Sequence, residues 1–231
     1  MIAIISDVHG NYPALKRVLE NIDEVGCEQI ICLGDVAGYY CMINECIEEL
    51  RGRNVINLLG NHDQYLIQGT GCPRSNSANR CIEFQSAILK EENREWLENS
   101  REYLTMGDIN FIHGGWKDPI DEYLYSISLS YFSEIAGKFF FSGHTHVQTL
   151  VDFNEKVYCN PGSVGQPRDG DARASYAILD GENILLKRVK YDIDSIAKKM
   201  KNNGFESFFY ENLYQGTRIG GKKSSVKIIN E

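Results

Sequence analysis

Residues 1–11 read MIAIISDVHGN, in which an apolar run is followed at once by an aspartate and a histidine. A short apolar run that turns polar at Ser6 is typical of a buried strand that ends in a turn. It lacks the basic leading residues of a secretory signal, so we interpret it as a strand of the folded domain. Beyond the turn, apolar residues recur at helical spacing and predict an amphipathic helix that contains Leu15, Val18, Leu19 and Ile22.

The alternation of strand and helix continues through the first third of the chain. Strands are predicted at Gln29–Leu33 and Val55–Leu58, with a helical pattern from Ile43 to Leu50 between them. This βαβαβ order predicts a mainly parallel sheet with right-handed crossovers. The second half predicts short strands separated by turns, at Tyr103–Met106, Ile109–Ile112, Phe139–Ser142, Thr149–Phe153, Val157–Cys159, Tyr176–Leu179 and Ile184–Val189.

The whole chain, residues 1–231, is expected to form one domain with two facing sheets. A loop rich in Gly, Pro, Ser and Asn is expected at Gly69–Asn79, followed by a charged helical stretch that ends near Trp96. Helices over about 193–215 are expected to pack on the domain. Residues 216–231 are expected to form a mobile tail.

The composition is that of a soluble globular protein. Hydrophobic residues make up 42% of the 231 residues, and the mean hydropathy is −0.33. No apolar run approaches the roughly 20 residues that a membrane helix needs, so we expect no membrane partner. The seven cysteines contain no CxxC pair, which favours a reducing, cytoplasmic location and no catalytic cysteine.

The net charge of −8 is unevenly distributed along the chain. Residues 1–186 carry 14 Lys and Arg against 27 Asp and Glu, whereas residues 187–231 carry 10 against 5. The acidic main part argues against a stable nucleic-acid partner, because polyanions bind basic surfaces. The basic C-terminal part is either a solvated helix face with a charged terminus, the simpler interpretation, or an attractor of small anions.

All five histidines of the chain lie in short motifs that directly follow predicted strands. Because reactive groups of open α/β sheets gather at the carboxyl ends of the strands, these motifs should meet at one rim. A lone histidine is more often structural, and Gly-Asn-His-Asp alone is typical of a turn. Five motifs that use every histidine nevertheless predict a metal site. They are Asp7-Val8-His9-Gly10-Asn11, Gly34-Asp35, Gly60-Asn61-His62-Asp63, His113-Gly114 and Gly143-His144-Thr145-His146.

The donor types indicate which metals such a rim would hold. Carboxylate and carboxamide oxygens with imidazole nitrogens, and no thiolate, suit divalent Mn, Fe, Zn, Co or Ni. The Asp7-x-His9 spacing places two side chains on one side if the chain leaves the strand in an extended conformation. A carboxylate can bridge two cations roughly 3.5–4 Å apart, the arrangement that phosphatases use. Two divalent ions, two aspartates and a hydroxide leave about one positive charge, which suits a phosphoryl group.

The motifs between residues 7 and 146 resemble those of the calcineurin-like metallophosphoesterase superfamily. Residues 160–169, NPGSVGQPRD, extend the likeness to its small prokaryotic branch, described as diadenosine-tetraphosphatase-like or phosphodiesterase-like. The resemblance implies an α/β fold, a four-layer α/β/β/α sandwich with two facing mixed sheets and the site at one rim. It also implies two divalent metal ions, with manganese as the first choice.

The resemblance also assigns roles residue by residue. His62 matches a histidine of the family that is not a ligand, and would protonate the leaving group or steady a phosphoryl oxygen. Asp35 would bridge the two metals. The remaining ligands would be Asp7, His9 and His146 for the first metal, and Asn61, His113 and His144 for the second.

One motif departs from the protein phosphatases of this superfamily. Those enzymes carry Gly-Asp-x-x-Asp-Arg-Gly, whose second Asp orients the catalytic histidine. This chain has Gly38 at that position and lacks the Arg. The departure weakens a protein-phosphatase interpretation and leaves Asp63 as a speculative partner of His62.

The segment from Asn160 to Gly170 contains turn signals and glycines whose backbone N–H groups can hold an anion. Gly162, Ser163 and Arg168 are therefore candidate substrate-binding residues. A tight connection between two strands explains the same pattern equally well.

These features together predict metal-dependent hydrolysis of a phosphoester bond in a small substrate. The substrate would be a phosphodiester or a dinucleoside polyphosphate, and the attacking group a hydroxide held between two metals. The alternatives are a protein Ser/Thr phosphatase and a non-catalytic metal-binding scaffold. The intact set of predicted ligands weighs against the scaffold.

Overall fold

The computed structural model describes residues 1–229, and ten of the twelve strands described there form two five-stranded sheets. The strands are β1 (Ile2–Ile5), β2 (Gln29–Cys32), β3 (Ile56–Asn57), β4 (Tyr103–Met106), β5 (Ile109–Ile112), β6 (Ser126–Ile127), β7 (Phe139–Phe141), β8 (Thr149–Asp152), β9 (Val157–Asn160), β10 (Ala174–Asp180), β11 (Asn183–Val189) and β12 (Lys227–Ile228). The helices are α1 (Tyr12–Val25), α2 (Ile43–Gly52), α3 (Asn61–Gln68), α4 (Asn76–Ile88), α5 (Glu91–Glu98), α6 (Leu129–Phe132) and α7 (Ile193–Asn202).

The first sheet has the strand order β11-β10-β1-β2-β3. Strands β1, β2 and β3 run parallel, because α1 and α2 provide the crossovers that parallel neighbours need. On the other side of β1, β10 pairs antiparallel with β1, and β11 pairs antiparallel with β10. The turn after β1 therefore leaves the sheet at its centre.

The second sheet has the order β4-β5-β7-β9-β8. Its three central strands, β5, β7 and β9, run parallel, and β4 and β8 flank them in the antiparallel direction. The carboxyl ends of β5 and β7 are neighbours at one edge. The histidines that follow these two strands consequently begin close together.

Successive side chains of a strand point to opposite faces of the sheet and so belong to different hydrophobic cores. In β1, Ala3 and Ile5 pack toward the helices, whereas Ile4 packs between the sheets. In β7, Phe139 and Phe141 face the first sheet and Phe140 faces the opposite side. Successive strand residues point to opposite faces, so one short apolar strand serves two cores.

Helices cover the outer faces of both sheets. Helices α1, α2 and α7 contribute buried residues to the core on the first sheet, and α6 contributes Phe132 to the core on the second. The arrangement is α/β/β/α, and both sheets are mixed. The predicted four-layer fold is confirmed.

The chain between β3 and β4 is more helical than expected. Helix α3 begins at Asn61, so the Gly-Asn-His-Asp motif opens a helix instead of forming a free turn. Helix α4 begins at Asn76, where the Ser75 side chain accepts a hydrogen bond from the Ala78 N–H (3.1 Å). The expected loop at 69–79 ends early because serine favours both turns and helix N-caps.

The C-terminal helices lie near the expected positions. Helix α7 is followed by two 3₁₀ turns, Ser207–Phe209 and Glu211–Gln215. Ile196, Met200 and Leu213 are buried in the core that α1 also lines. These apolar residues attach the segment to the first sheet.

Residues 216–229, which belong to the segment predicted to form a mobile tail, make several contacts with the domain. Strand β12 pairs in parallel with β6, and the Ser224 N–H donates a hydrogen bond to the Arg168 carbonyl (2.7 Å). Two-residue strands carry no recognisable periodicity, so the pairing is invisible in the sequence. The rest of the expected tail, Asn230 and Glu231, lies outside the described residues.

None of the helices within residues 1–229 combines the length and apolar character that a membrane crossing demands. All seven cysteines are free thiols. Burial raises the pKa of the Cys32, Cys46 and Cys159 thiols, which opposes thiolate chemistry at these positions.

Gly165→Ala is expected to destabilise the fold where residues 160–169 cross the turn after β1. The Gly165 N–H donates to the Asp7 carbonyl (2.9 Å), and an added Cβ would collide with the Val8 carbonyl oxygen. Because main-chain atoms must then shift, the free energy of unfolding should fall by roughly 1–3 kcal/mol. Urea denaturation of the metal-free protein measures this change.

Gly52→Ala is the matched control for this variant. Gly52 ends α2, and an added Cβ there has no heavy atom within 4 Å. Its free energy of unfolding should stay the same or rise slightly, since alanine favours helix over glycine. Equal free energies of unfolding for the two variants would contradict the close approach at Gly165.

Candidate metal centre

The seven predicted metal ligands lie together at the rim formed by the carboxyl ends of β1, β2, β5 and β7 and the start of α3. Side chains reach this rim from both sheets, so the site closes the gap between them. All seven side chains are buried. They are Asp7 and His9 after β1, Asp35 after β2, Asn61 at the start of α3, His113 after β5, and His144 and His146 after β7.

Left-handed backbone conformation turns most of these side chains inward. Seven non-glycine residues in the described chain have positive φ, and five of them are predicted ligands with φ between 52° and 65°. Each such residue costs about 1–2 kcal/mol and persists only where its surroundings enforce it. The extended exit expected for the Asp-x-His motif was therefore wrong. The five residues are Asp7, His9, Asp35, His144 and His146.

Asp63 holds the backbone around the site. Its carboxylate accepts hydrogen bonds from the N–H groups of Asp35 (2.8 Å), Ala37 (2.8 Å) and Gly60 (3.2 Å). Burial raises the pKa of Asp63 to about 7. Since its oxygens bind the turn after β2 and the start of α3, Asp63 is not the partner suggested for His62.

The first group of donor atoms comes from Asp7, His9, Asp35 and His146. The Asp7 Oδ1 lies 3.2 Å from the His146 Nε2 and 3.8 Å from the His9 Nε2. The two imidazole nitrogens are 3.1 Å apart, and the Asp35 Oδ2 is 3.8 Å from the His9 Nε2. Ligands about 2.0–2.2 Å from one ion are about 3–3.5 Å from each other, so the spacing suits a single cation.

The second group comes from Asp35, Asn61, His113 and His144. The His113 Nε2 lies 3.1 Å from the His144 Nδ1, 3.2 Å from the Asn61 Oδ1 and 3.5 Å from the Asp35 Oδ2. The Asp35 Oδ2 therefore belongs to both groups. This is the position that a bridging carboxylate requires.

Backbone carbonyls orient three of the histidines. The Nδ1 atoms of His9, His113 and His146 lie 2.7–2.9 Å from carbonyl oxygens. A carbonyl only accepts, so each Nδ1 carries the proton and each Nε2 directs a lone pair into the centre. The carbonyls belong to Ala37, Leu33 and Gln166, in that order.

The centre contains buried carboxylate oxygens and imidazole lone pairs without hydrogen-bond donors in the described chain, as expected of a site that binds cations. The Asp7 Oδ1 and Asp35 Oδ2 are buried and accept no hydrogen bond from the described residues. The Nε2 lone pairs of His9 and His146 face each other at 3.1 Å. Buried carboxylates and opposed lone pairs are costly unless a cation lies between them. The mixed oxygen and nitrogen donors suit divalent Mn, Fe, Zn, Co or Ni.

Burial also sets the protonation states of the donors. Burial raises the pKa of Asp35 well above its usual range, and the neighbouring carboxylates raise it further. A divalent cation would oppose this effect and keep the carboxylate ionised. Imidazoles must be neutral to bind a metal, and burial favours that form by lowering the pKa of His9, His113, His144 and, to about 4, His146.

A cavity of about 300 Å³ opens beside the centre, with His62 in its wall. The His62 ring contacts the rings of His9 and Tyr39, each at 5.1 Å between centroids. Its Nδ1 is buried and has no hydrogen-bond partner in the described chain. Burial, followed by the Arg168 charge, lowers the pKa of His62 well below its usual value. His62 thus lies outside both donor groups as a neutral imidazole facing the cavity.

Gly38 has a steric role in this arrangement. It has φ of +129°, and an added Cβ would collide with the His9 Nδ1 and lie 3.2 Å from the His62 Nδ1. An aspartate at this position would therefore displace the His9 imidazole. The motif of the protein phosphatases does not fit the backbone of this chain.

The structure separates the three predicted substrate-binding residues. Arg168 lines the cavity. Gly162 and Ser163 lie behind the turn after β1, where the Gly162 N–H donates to the Asn160 Oδ1 (2.8 Å) and the Ser163 hydroxyl donates to the Asp7 carbonyl (2.7 Å). The groups expected to hold an anion thus secure the fold, and the expectation for Gly162 and Ser163 is corrected.

The guanidinium of Arg168 is fixed before any substrate arrives. Its Nε and Nη2 donate to the Gln166 Oε1 at 2.9 and 2.6 Å, and its Cζ lies 5.3 Å from the centre of the Tyr39 ring. The residue is only 5% exposed. A buried, oriented guanidinium is well suited to a phosphoryl oxygen.

Sequence analysis missed several residues of the cavity wall. Tyr123 stacks on the His144 ring with 3.7 Å between centroids, and so supports a predicted ligand. Arg74, Tyr125 and Arg218 line the same cavity from three separate segments. No local motif marks them; the one available signal was the excess of basic residues near the C-terminus, which includes Arg218.

Comparison with known families identifies the class of protein to which this fold and site belong. The family model described as the calcineurin-like phosphoesterase superfamily domain matches residues 1–183. The chain belongs to the calcineurin-like phosphoesterase superfamily, as its motifs predict.

Individual relatives cover most of the chain. The uncharacterised protein MJ0912 of Methanocaldococcus jannaschii is 33% identical over 94% of this chain and 98% of its own length. Phosphodiesterase YfcE of Escherichia coli K12 is 29% identical over 86% of this chain and 96% of its own length. The crystal structure of a metallophosphoesterase from Sphaerobacter thermophilus superposes with a TM-score of 0.81 at 32% identity, covering 93% of this chain and 99% of that one.

Asp35→Asn is expected to remove at least one metal ion per chain, because it changes the atom shared by both donor groups. Turnover should fall by roughly 10³-fold or more. The metal-free variant should be no less stable than the metal-free wild type, since burial and nearby carboxylates already disfavour the Asp35 charge. Elemental analysis, turnover and thermal melting in EDTA measure the three effects.

Asp180→Asn, at the exposed end of β10, is the control with the same chemical change. It should retain wild-type metal content and turnover. Retention of both metals and near-normal turnover in Asp35→Asn would contradict the shared position.

Proposed function

We propose that this protein hydrolyses phosphoester bonds in small substrates, phosphodiesters or dinucleoside polyphosphates, with two divalent metal ions, preferably manganese. The observation that carries the proposal is the Asp35 Oδ2, which belongs to two groups of buried donors. Two ions that share a carboxylate form the clamp that stabilises both the attacking and the leaving oxygens of a phosphoryl group. The phosphodiesterase among the relatives is consistent with this chemistry.

The residues of the chain divide the work around the ions. When bound, the ions would supply Lewis acidity and activation of the nucleophile. Neutral imidazoles and only two carboxylates leave the loaded centre positively charged, which favours a phosphoryl group in the transition state. Asp7, His9 and His146 would hold one ion, Asn61, His113 and His144 the other, and Asp35 both.

His62 and Arg168 would contact the substrate from the cavity side. Arg168 is held by Gln166 and Tyr39, so its charge needs little reorganisation to meet a phosphoryl oxygen. His62 is buried next to the centre with an unpartnered Nδ1 in the described chain. A hydrogen bond from His62 to a phosphoryl oxygen accounts for this placement.

The cavity favours a small substrate over a phosphoprotein. Its volume of about 300 Å³ is at the lower end of the range for small-molecule sites. Protein phosphatases of this superfamily carry an aspartate at the position of Gly38, where it orients the catalytic histidine. In this chain the His9 imidazole leaves no room for a side chain at that position. Both features favour small phosphate esters over phosphoproteins as substrates.

The Mn²⁺-loaded protein is expected to hydrolyse diadenosine tetraphosphate and an aryl phosphodiester with higher kcat/KM than a phosphothreonine peptide. EDTA followed by dialysis should abolish activity, and Mn²⁺ should restore it at least as well as Mg²⁺, because imidazole ligands suit Mn²⁺ better. Steady-state assays of all three substrates measure both effects.

Two outcomes would count against this proposal. Full activity in excess EDTA after dialysis would exclude the metal mechanism. A clear preference for the phosphothreonine peptide would instead favour a protein phosphatase.

His62→Ala is expected to retain both metals and to lose roughly 10²–10³-fold in kcat, the range for removal of one preorganised hydrogen-bond donor. The loss should be similar for nitrophenyl and alkyl esters, because both place charge on the phosphoryl oxygens. Elemental analysis and a series of leaving groups measure these effects. Gln64→Ala, two residues further along α3, is the control and should change neither the metal content nor kcat.

The remaining outcomes for His62→Ala identify other roles. A much larger loss on alkyl esters would show that His62 protonates the leaving group, since nitrophenolate departs without a proton. Loss of metal would show that His62 is a ligand.

A further inference from the structure

Three arginines line the cavity beside the metal centre, and no carboxylate lines it within the described part of the chain. Arg74 precedes α4, Arg168 belongs to the 160–169 segment, and Arg218 belongs to the C-terminal segment. The chain as a whole has a net charge of −8, so this concentration of positive charge is local. Such a cavity attracts anions.

Two of the three arginines lack an acidic partner. Both terminal nitrogens of Arg74 bind the Asp121 carboxylate, which balances its charge. Among the described residues, Arg168 and Arg218 donate to uncharged groups and form no ion pair with a carboxylate within 4 Å. A guanidinium that is buried or half-buried without a counterion is unfavourable, so both are available to an anionic ligand.

Arg218 is held in position by two neighbours. Its Nε donates to the Ser224 Oγ (2.9 Å), and its Nη2 donates to the Tyr125 hydroxyl. Ser224 also donates its backbone N–H to the Arg168 carbonyl (2.7 Å), so one residue links the segments that carry the two unpaired arginines. The Arg218 Nη1 has no partner among the described residues and completes a preorganised donor group at the cavity wall.

Two aromatic residues of the wall, Tyr123 and Tyr125, already pack against other rings and against guanidinium groups. Tyr123 lies 3.7 Å from the His144 ring, and the Arg74 Cζ lies 5.4 Å from the centre of the Tyr123 ring. Tyr125 stacks on Tyr123 at 5.4 Å with 5° between the ring planes, and Arg218 lies over Tyr125 at 5.8 Å. These contacts engage both rings, which favours recognition of charge over stacking of a base at this part of the wall.

We propose that Arg218 binds a second phosphoryl group of the substrate, beside the one that is hydrolysed. This inference rests on the proposed function, in which Arg168 meets the reacting phosphoryl group. The preferred substrates are then organic esters of a polyphosphate chain, and simple phosphodiesters are poorer substrates. Hydrolysis breaks one P–O bond, with the water oxygen added to phosphorus and its proton to the departing oxygen, while the second phosphoryl group stays intact.

The test compares the Mn²⁺-loaded, full-length wild type with Arg218→Ala on diadenosine tetraphosphate and on bis(p-nitrophenyl) phosphate. The ratio of kcat/KM for the tetraphosphate to that for the diester should fall roughly 10- to 100-fold in the variant, mainly through KM. Arg218→Lys should restore part of the ratio. Lys222→Ala, an exposed cation four residues further along, should leave it unchanged.

A binding experiment tests the subsite without turnover of the tetraphosphate. Pyrophosphate should inhibit diester hydrolysis by the wild type at least tenfold more strongly than inorganic phosphate, with free Mn²⁺ in constant excess. Arg218→Ala should remove most of this difference. Thermal melting checks that Arg218→Ala is folded. Ser224→Ala frees the Arg218 Nε but keeps the charge, so it should reduce the difference between pyrophosphate and phosphate less than Arg218→Ala does.

Either of two results would overturn the inference while the proposed function stands. These are an equal loss on both substrates in Arg218→Ala, or equal inhibition of the wild type by pyrophosphate and phosphate. Absence of hydrolysis of every ester by the wild type would refute the proposed function instead. Calorimetric binding of pyrophosphate to the Mn²⁺-loaded wild type and Arg218→Ala would then decide the subsite on its own.

Discussion

The position of the Asp35 carboxylate is the constraint on which the site depends. Its Oδ1 accepts the His62 N–H (2.9 Å), which leaves the Oδ2 for the two donor groups. Its own N–H is held by the buried Asp63 carboxylate, which also binds Ala37 and Gly60. The Asp63 carboxylate thus joins the turn after β2 to the start of α3. This junction fixes the Asp35 backbone so that the Asp35 Oδ2 faces both donor groups.

The surrounding fold stabilises an arrangement that is unfavourable by itself. Five predicted ligands adopt left-handed backbone conformations, and the carboxylates of Asp7, Asp35 and Asp63 are buried close together. Hydrophobic cores between the sheets and under the helices hold the strand ends rigid enough to keep these residues in place. Bound cations would add to this stability, because a site that gathers buried acidic groups couples metal binding to folding.

The sequence predicted the fold and the donor set because both are local patterns with a fixed order. The apolar run at Phe139–Phe141, for example, marks a strand whose two faces are both buried, and the motif after it supplies donors directly. It did not predict that the Gly162 N–H and the Ser163 hydroxyl are used within the fold, since composition does not show which partner a polar group finds. Nor did it place Arg218 and Arg168 in the wall of one cavity, because the segments that carry them are linked by long-range main-chain contacts such as the hydrogen bond from the Ser224 N–H to the Arg168 carbonyl.

The C-terminal segment lies beyond residue 183, where the match to the superfamily domain ends, yet it supplies part of the cavity wall. If Arg218 selects the substrate as proposed, part of that selection lies outside the stretch that carries the predicted metal ligands. On that proposal, a change in the last few dozen residues would alter which phosphate ester is preferred while the turns that carry the predicted ligands stay intact. Substrate preference would then evolve through the C-terminal segment, without any alteration of the turns that carry the predicted ligands.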